Sequence, residues 1–196
     1  CIQERIYPNY IYKKQRFQGG DALRADTSFF RLFSYRLLSG DPRDLQYADK
    51  FFISDKLAAI IFGNEDPLGK EVKYGNKLIT VAGIFENFPR NGHLMNIHAI
   101  HPLIQTNDNQ WTDKPEYKGY ILLTPGTDPD KVTRQIQAIA DPHQSEEHHY
   151  SYTLQPLRDL HLKYGWGYTY ITLVGIMGSI IVLISALNYI LISVSS

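Results

Sequence analysis

Phe51–Phe85 reads FFISDKLAAIIFGNEDPLGKEVKYGNKLITVAGIF. Phe51–Ile53 is a short apolar run that reads as a buried strand. Ser54 is placed to cap a helix running to Phe62, with Leu57, Ile60 and Ile61 as its apolar stripe and Gly63 as its stop. Asn64–Gly69 is a loop containing Pro67. Lys70–Tyr74 and Lys77–Phe85 then alternate in polarity, and Gly75-Asn76 between them suits a two-residue hairpin turn. A strand, a helix and a hairpin in this order break strict βα alternation, which points to an α+β domain with a mixed or antiparallel sheet.

Working outward toward the N-terminus, Gly40-Asp41-Pro42 is a turn and Tyr35, Leu37 and Leu38 read as extended. Asp26 can cap a short helix carrying Phe29, Phe30 and Phe33 on one face. Residues 5–18 mix three tyrosines with basic residues and read as one exposed strand. Toward the C-terminus, Asn87–Gly92 is a loop, and His98–Ile104 and Glu116–Leu123 read as strands. Asp128-Pro129-Asp130 opens a helix with a capping acid and a first-turn proline, Val132, Ile136 and Ile139 form its buried face, and Asp141-Pro142 ends it. Ser151–Leu157 alternates as a last strand. The expectation is six to eight strands and three short helices, without internal repeats.

The charge distribution divides the chain. Its 196 residues carry 20 basic and 20 acidic side chains, and all of them precede Tyr164. Ile171–Val194, ITLVGIMGSIIVLISALNYILISV, has no charge in 24 residues. At about 1.5 Å per residue it reaches roughly 36 Å, enough to cross a hydrocarbon core of about 30 Å. Trp166, Tyr168 and Tyr170 precede it as an interfacial belt would. We therefore expect an α+β domain over residues 1–165, then an aromatic belt and one C-terminal transmembrane helix over 166–196. Within the helix, Gly175 and Ser179 are four apart, a spacing that admits a second helix closely. Asn188 either faces another helix, because an amide in lipid needs a partner, or lies near enough to the helix end to meet water. Gly175, Ser179 and Asn188 are the candidate helix–helix contacts.

Neutral net charge leaves no basic surplus for nucleic acid. A single cysteine, Cys1, excludes an internal disulfide framework. A chain that opens on Cys1 rather than Met reads as a processed product or a piece of a longer chain. His98-x-x-His101 and the group His143, Glu146, Glu147, His148 and His149 lack the ligand spacing of a zinc site, and His98 and His101 belong on opposite faces of a strand. Neither G-x-S-x-G nor S-x-x-K occurs, Ser54 is better explained as a helix cap than as a nucleophile, and Gly69-Lys70 is not followed by the Ser or Thr of a P-loop. The residues therefore name no catalytic, metal or cofactor site.

Several motifs occur in a telling order. They are Asp26-x-x-Phe29-Phe30-x-x-Phe33, Leu37-Leu38-x-Gly40-Asp41-Pro42, Ile53-Ser54-x-x-Leu57-Ala58 with Phe62-Gly63 and Asp66-Pro67-Leu68-Gly69-Lys70, and Val81-x-Gly83-Ile84-Phe85 with Pro89 and His93-Leu94. Leu154-Gln155-Pro156-Leu157-x-x-Leu160-His161-Leu162 and Leu187-Asn188-Tyr189-Ile190 complete the series. The series resembles the MacB-like periplasmic core domain of FtsX-like ABC transporter permeases of the Bacteroidetes type. It departs from it at Gly92, where a Ser is usual, and in residues 1–25, which match little. The resemblance implies a piece that starts inside the extracytoplasmic domain and ends at the second membrane helix. It also implies a location in the bacterial inner (cytoplasmic) membrane with residues 1–165 periplasmic, and a non-enzymatic role coupling ATP-driven helix motion to substrate export. The implied partners are a cytoplasmic ABC ATPase that holds the ATP, a second permease copy and a periplasmic adaptor. The rival expectations are a single-pass, membrane-anchored ligand-binding sensor and a membrane-bound hydrolase, the latter needing a nucleophile and base that the motifs do not supply.

Overall fold

The computed structural model describes residues 2–89, 94–104, 118–144, 150–159 and 167–194. Among these residues ten strands form one mixed sheet. They are β1 Ile2–Ile6, β2 Asn9–Tyr12, β3 Gln15–Gln18, β4 Asp21–Ala25, β5 Leu37–Ser39, β6 Lys50–Ser54, β7 Glu71–Tyr74, β8 Lys77–Phe85, β9 Ile97–Pro102 and β10 Lys118–Gly119. Their spatial order is β10-β1-β4-β9-β6-β8-β7-β2-β3, with β5 paired to β8. The pairs β4/β9 and β6/β8 are parallel and the others antiparallel. The helices are α1 Phe29–Phe33, α2 Asp55–Phe62, α3 Pro129–Ala140 and α4 Gly167–Val194. The chain divides into two compact units, Cys1–Tyr152 and Thr153–Ser196.

The central strand β6 is buried on both faces. Phe51 and Ile53 enter one core with Tyr10, Val72, Ile79, Val81 and the α2 residues Leu57, Ala58, Ile61 and Phe62. Phe52 enters the other with Leu23, Phe29, Phe30, Leu45, Phe85 and Ile100. Strand alternation sends neighbours to opposite faces, so α2 covers one side of the sheet and α1 with the 3-10 turn Pro42–Gln46 covers the other. The Ser54 hydroxyl accepts from the Leu57 N–H at 3.1 Å and starts α2.

Strand β8 changes allegiance along its length. Val81 pairs with Phe51 but Gly83 pairs with Phe52, so one extra residue is accommodated at Ala82. That bulge reverses the alternation: Ile79 and Val81 face the first core, Phe85 the second. Glycine is required beside it. A Cβ on Gly83 would lie 2.6 Å from the Ser39 carbonyl oxygen and 2.4 Å from the nearest Phe52 ring carbon, and one on Gly40, at φ +102°, would lie 2.6 Å from the Gly83 Cα.

Several sequence expectations are corrected. Residues 5–18 are not one exposed strand: they span the end of β1 and all of β2 and β3, and Tyr10 is fully buried. Strand β4 was not expected at all. Ile60 is 55% exposed, because it lies on the flank of α2 away from the arc of Leu57, Ala58, Ile61 and Phe62. Asp26 does not cap α1 directly; it binds the N–H and hydroxyl of Ser28, the residue at the cap position. Phe33 is half-buried. The strand expected over 116–123 is reduced, among the described residues, to β10. On α3, Val132 and Ile136 are half-buried and Ile139 is 64% exposed, so its apolar stripe is only partly covered. Ser151–Leu157 is no strand: residues 151–156 join no ladder and residues 157–159 take a helical turn. The expectations for Gly92, His93, Glu146–His149, Leu160–Leu162 and Trp166 lie outside the described residues.

Candidate functional site

Four groups of side chains merit a chemical reading. The first is buried. His101 on β9 is 5% exposed, and its Nε2 lies 2.7 Å from the Tyr10 hydroxyl on β2. The imidazole stacks on Phe51 at 5.2 Å and Tyr10 at 5.9 Å, with Tyr74 at 5.0 Å. Burial, with Arg24 nearby, pulls the His101 pKa down to about 3. Burial, with Tyr74 nearby, pushes Tyr10 well above the ordinary phenol value. Both groups are therefore neutral across the physiological range, and the pair is a satisfied polar contact inside a core. It ties strands 91 residues apart in sequence.

The second group tests the hydrolase expectation. Ser54 Oγ lies 3.4 Å from His98 Nδ1, which superficially resembles a nucleophile and its base. Two features argue against that use. Ser54 is completely buried, so no substrate carbonyl reaches it, and its oxygen already accepts from Leu57. His98 is half-buried, its pKa lowered by burial and by Lys56. His98 and His101 do lie on opposite faces of β9, as the alternation requires: one reaches Ser54, the other Tyr10. Among the described residues no three His, Cys, Asp or Glu side chains gather to hold a metal ion.

The third group is on the surface. Glu65, just past α2, accepts from Lys13 at 2.5 Å, from the Tyr12 hydroxyl at 3.2 Å and from Lys70. The Lys13 and Lys70 bonds, in that order, hold its carboxyl down to about 2. Lys13 and Lys14 form the two-residue β2–β3 turn with φ of 46° and 67°, the left-handed pair of a type I′ hairpin built without glycine or asparagine. Sequence reading missed this group because its members lie on two segments about 50 residues apart, the β2–β3 turn and the loop between α2 and β7.

The fourth is α4. Thr172–Ser193 spans 22 residues at mean hydropathy 2.2, and every side chain in it is exposed. The Ser179 hydroxyl donates to the Gly175 carbonyl one turn earlier at 2.9 Å, so it is satisfied within its own helix. Asn188 lies nine residues beyond Ser179. At about 100° per residue that is half a turn away, so the Gly175–Ser179 notch and the Asn188 amide occupy opposite sides of the helix.

Comparison with known proteins agrees with this architecture. The chain resembles a crystal structure of a domain assigned to a permease protein from Porphyromonas gingivalis, at 23% identity and TM-score 0.64, over 74% of this chain and 64% of that one. It also resembles the periplasmic region of MacB from Actinobacillus actinomycetemcomitans, at 13% identity and TM-score 0.52, over 71% and 67%. These likenesses concern the fold, and the chain spans about two thirds of each (64% and 67%). No curated protein matches the sequence significantly. The family model for MacB-like periplasmic core domains matches residues 4–139. It thus includes the N-terminal strands whose sequence showed little resemblance, and it ends before the motifs at 154–162 and 187–190. With more than half of the sequence matched, the chain belongs to the family of MacB-like periplasmic core domains.

Proposed function

We propose that this chain is the extracytoplasmic domain and one membrane helix of an ABC transporter permease subunit, with no catalytic or cofactor site of its own. The observation that carries the reading is the joining of a MacB-like periplasmic fold to a 22-residue apolar helix with no buried side chain. A helix so apolar, left in water, would expose a continuous hydrocarbon surface, so it belongs in lipid or against other membrane helices. ATP hydrolysis takes place on a cytoplasmic ATPase partner, and closure there rocks the membrane helices and moves the domain as a rigid body to extrude a substrate outside. The subunit works as a dimer in the inner membrane, with residues 1–165 periplasmic and a periplasmic adaptor docked on them. Gly175 and Ser179 offer a notch to one neighbouring helix, and Asn188 meets another helix on the opposite side.

Sidedness tests this directly. Cys1 is replaced by Ser, and Lys73, an exposed residue of β7, is changed to Cys. A membrane-impermeant maleimide is expected to label it in cells whose outer membrane is permeabilised and whose inner membrane is intact. Labelling only after the inner membrane is broken would sink the reading. Co-purification of an ABC ATPase with the wild-type permease is the companion measurement.

A further inference from the structure

The segment expected to be the last strand is held in an unusual way. Gln137, on α3, donates from Nε2 to the Tyr150 carbonyl at 3.1 Å and to Asp141 Oδ1 at 2.5 Å, and its Oε1 accepts from the Tyr152 N–H at 2.9 Å. Gln144 donates from Nε2 to the same Tyr150 carbonyl at 3.1 Å and accepts the Tyr150 N–H on its Oε1. A side-chain amide has the same donor and acceptor as a peptide group. Gln137 bonds the C=O of residue 150 and the N–H of residue 152, the pattern by which one residue of a parallel strand grips its neighbour. Gln144 exchanges both bonds with Tyr150, the pattern of an antiparallel hydrogen-bonded pair. Two side chains thus do for this segment what a sheet edge does elsewhere, and both N–H groups of Gln137 are used.

The place where this happens matters. Tyr152 is the last residue of the first compact unit, and the chain continues from it toward α4. We infer that Gln137 and Gln144 form an amide clamp that fixes the point at which the chain leaves the periplasmic domain for the membrane helix. They are positioning residues, acting on backbone and touching no substrate. A segment free to peel from α3 would absorb a displacement of the helix as slack, whereas one clamped at Tyr150 and Tyr152 passes it to α3. That use of the clamp rests on the permease reading; its existence does not.

Hydrogen exchange at single amides of the full chain in lipid nanodiscs tests it. Gln137→Met combined with Gln144→Met is expected to speed exchange at Tyr150 and Tyr152 about tenfold or more, while amides of β6 and β8 keep their wild-type rates. Unchanged rates at both tyrosines overturn the clamp. Should the double variant lose structure throughout, Gln144→Met alone decides: it frees the Tyr150 N–H but leaves the Gln137–Tyr152 bond, so Tyr150 accelerates and Tyr152 does not. Acceleration at both or neither overturns the assignment. In the whole permease, loss of ATP-driven transport in the double variant supports transmission through this exit, and undiminished transport with accelerated exchange overturns that role. A wild-type protein that couples to no ATPase counts against the permease reading alone, and the exchange result still decides the clamp.

Discussion

Phe51 and Phe52 are adjacent, fully buried and chemically identical, yet they live in different surroundings. Phe51 stacks at 5.4 Å on Tyr10 and at 5.2 Å on His101, so its core includes a tyrosine–histidine hydrogen bond. Phe52 meets Phe30 at 5.3 Å in a core of phenylalanines and aliphatic side chains. The second core is assembled largely from aromatic residues close in sequence, Phe29, Phe30, Phe33 and Tyr35, then Phe85 and Phe88. The first joins β2 to β9 across most of the domain. An apolar cluster loses only packing when one member is absent, whereas a buried polar pair is favourable only when both partners arrive, since either left alone is a desolvated group without a bond.

The sharpest way to separate the two cores is to empty each. Phe52→Ala is expected to cost about 4 kcal/mol, since neighbouring rings are too rigid to collapse into the space. Phe51→Ala should cost a similar amount and in addition admit water to the Tyr10–His101 pair. Urea denaturation of the full chain in detergent micelles, followed by aromatic fluorescence, measures both. Gly83→Ala strikes the point where β8 passes from one core to the other. The new methyl must displace the Phe52 ring and the Ser39 carbonyl, and a loss of about 3 kcal/mol is expected. A neutral result would show that the bulge at Ala82 is dispensable.

Acid should weaken the first core before the second. The folded-state pKa of His101, about 3, lies below its unfolded value near 6.5. As pH falls through 6.5 the unfolded chain takes up a proton that the folded chain refuses, so stability is complete above 6.5 and declines until pH reaches about 3. Between pH 6.5 and 4.5 the expected loss is about 2 kcal/mol. His98, also lowered, adds to it in the same direction. Glu65 and Asp41, both held near 2, contribute only at lower pH, as it falls through the unfolded carboxylate range. His101→Gln, whose amide can still meet the Tyr10 hydroxyl, should flatten the slope above pH 4.5 to what His98 supplies. An unchanged slope would contradict the burial argument.

Smaller effects refine the picture. Tyr10→Phe leaves His101 Nε2 without its partner and should cost about 1.5 kcal/mol, while Phe33→Tyr, in the half-buried margin of the other core, should be near neutral. Lys14→Gly relieves a left-handed backbone at the β2–β3 turn without touching the Lys13–Glu65 contact, and should stabilise by about 0.5–1 kcal/mol. A destabilised Lys14→Gly variant would mean that the lysine side chain, not the backbone, governs the turn.

Residues 51–85 were readable because every signal there is local: a cap at Ser54, a stop at Gly63, a two-residue turn and period-two strands. Residues 5–18 were misread because Tyr10 looks like one tyrosine among three, and nothing nearby reveals that its partner is His101. Ser151–Leu157 alternates convincingly, but strand formation needs a neighbour with free backbone groups, and glutamine side chains occupied the 150–152 backbone instead. The Glu65 cluster and the Ser54–His98 contact were equally out of reach, since each joins residues from separate segments.

Composition, periodicity and motif order were sufficient to establish an α+β domain, an uncharged apolar helix after it, and the family, because each depends on residues near one another along the chain. Tertiary structure alone decided that β8 serves both cores through its bulge, that Tyr10 and His101 are buried together, and that Ser54 is sealed from substrate. It alone put the segment after α3 under two glutamine amides. The physical reason is common to all of these: a hydrogen bond, a ring stack or a buried site belongs to two places in the chain at once, and only folding brings them within a few ångströms.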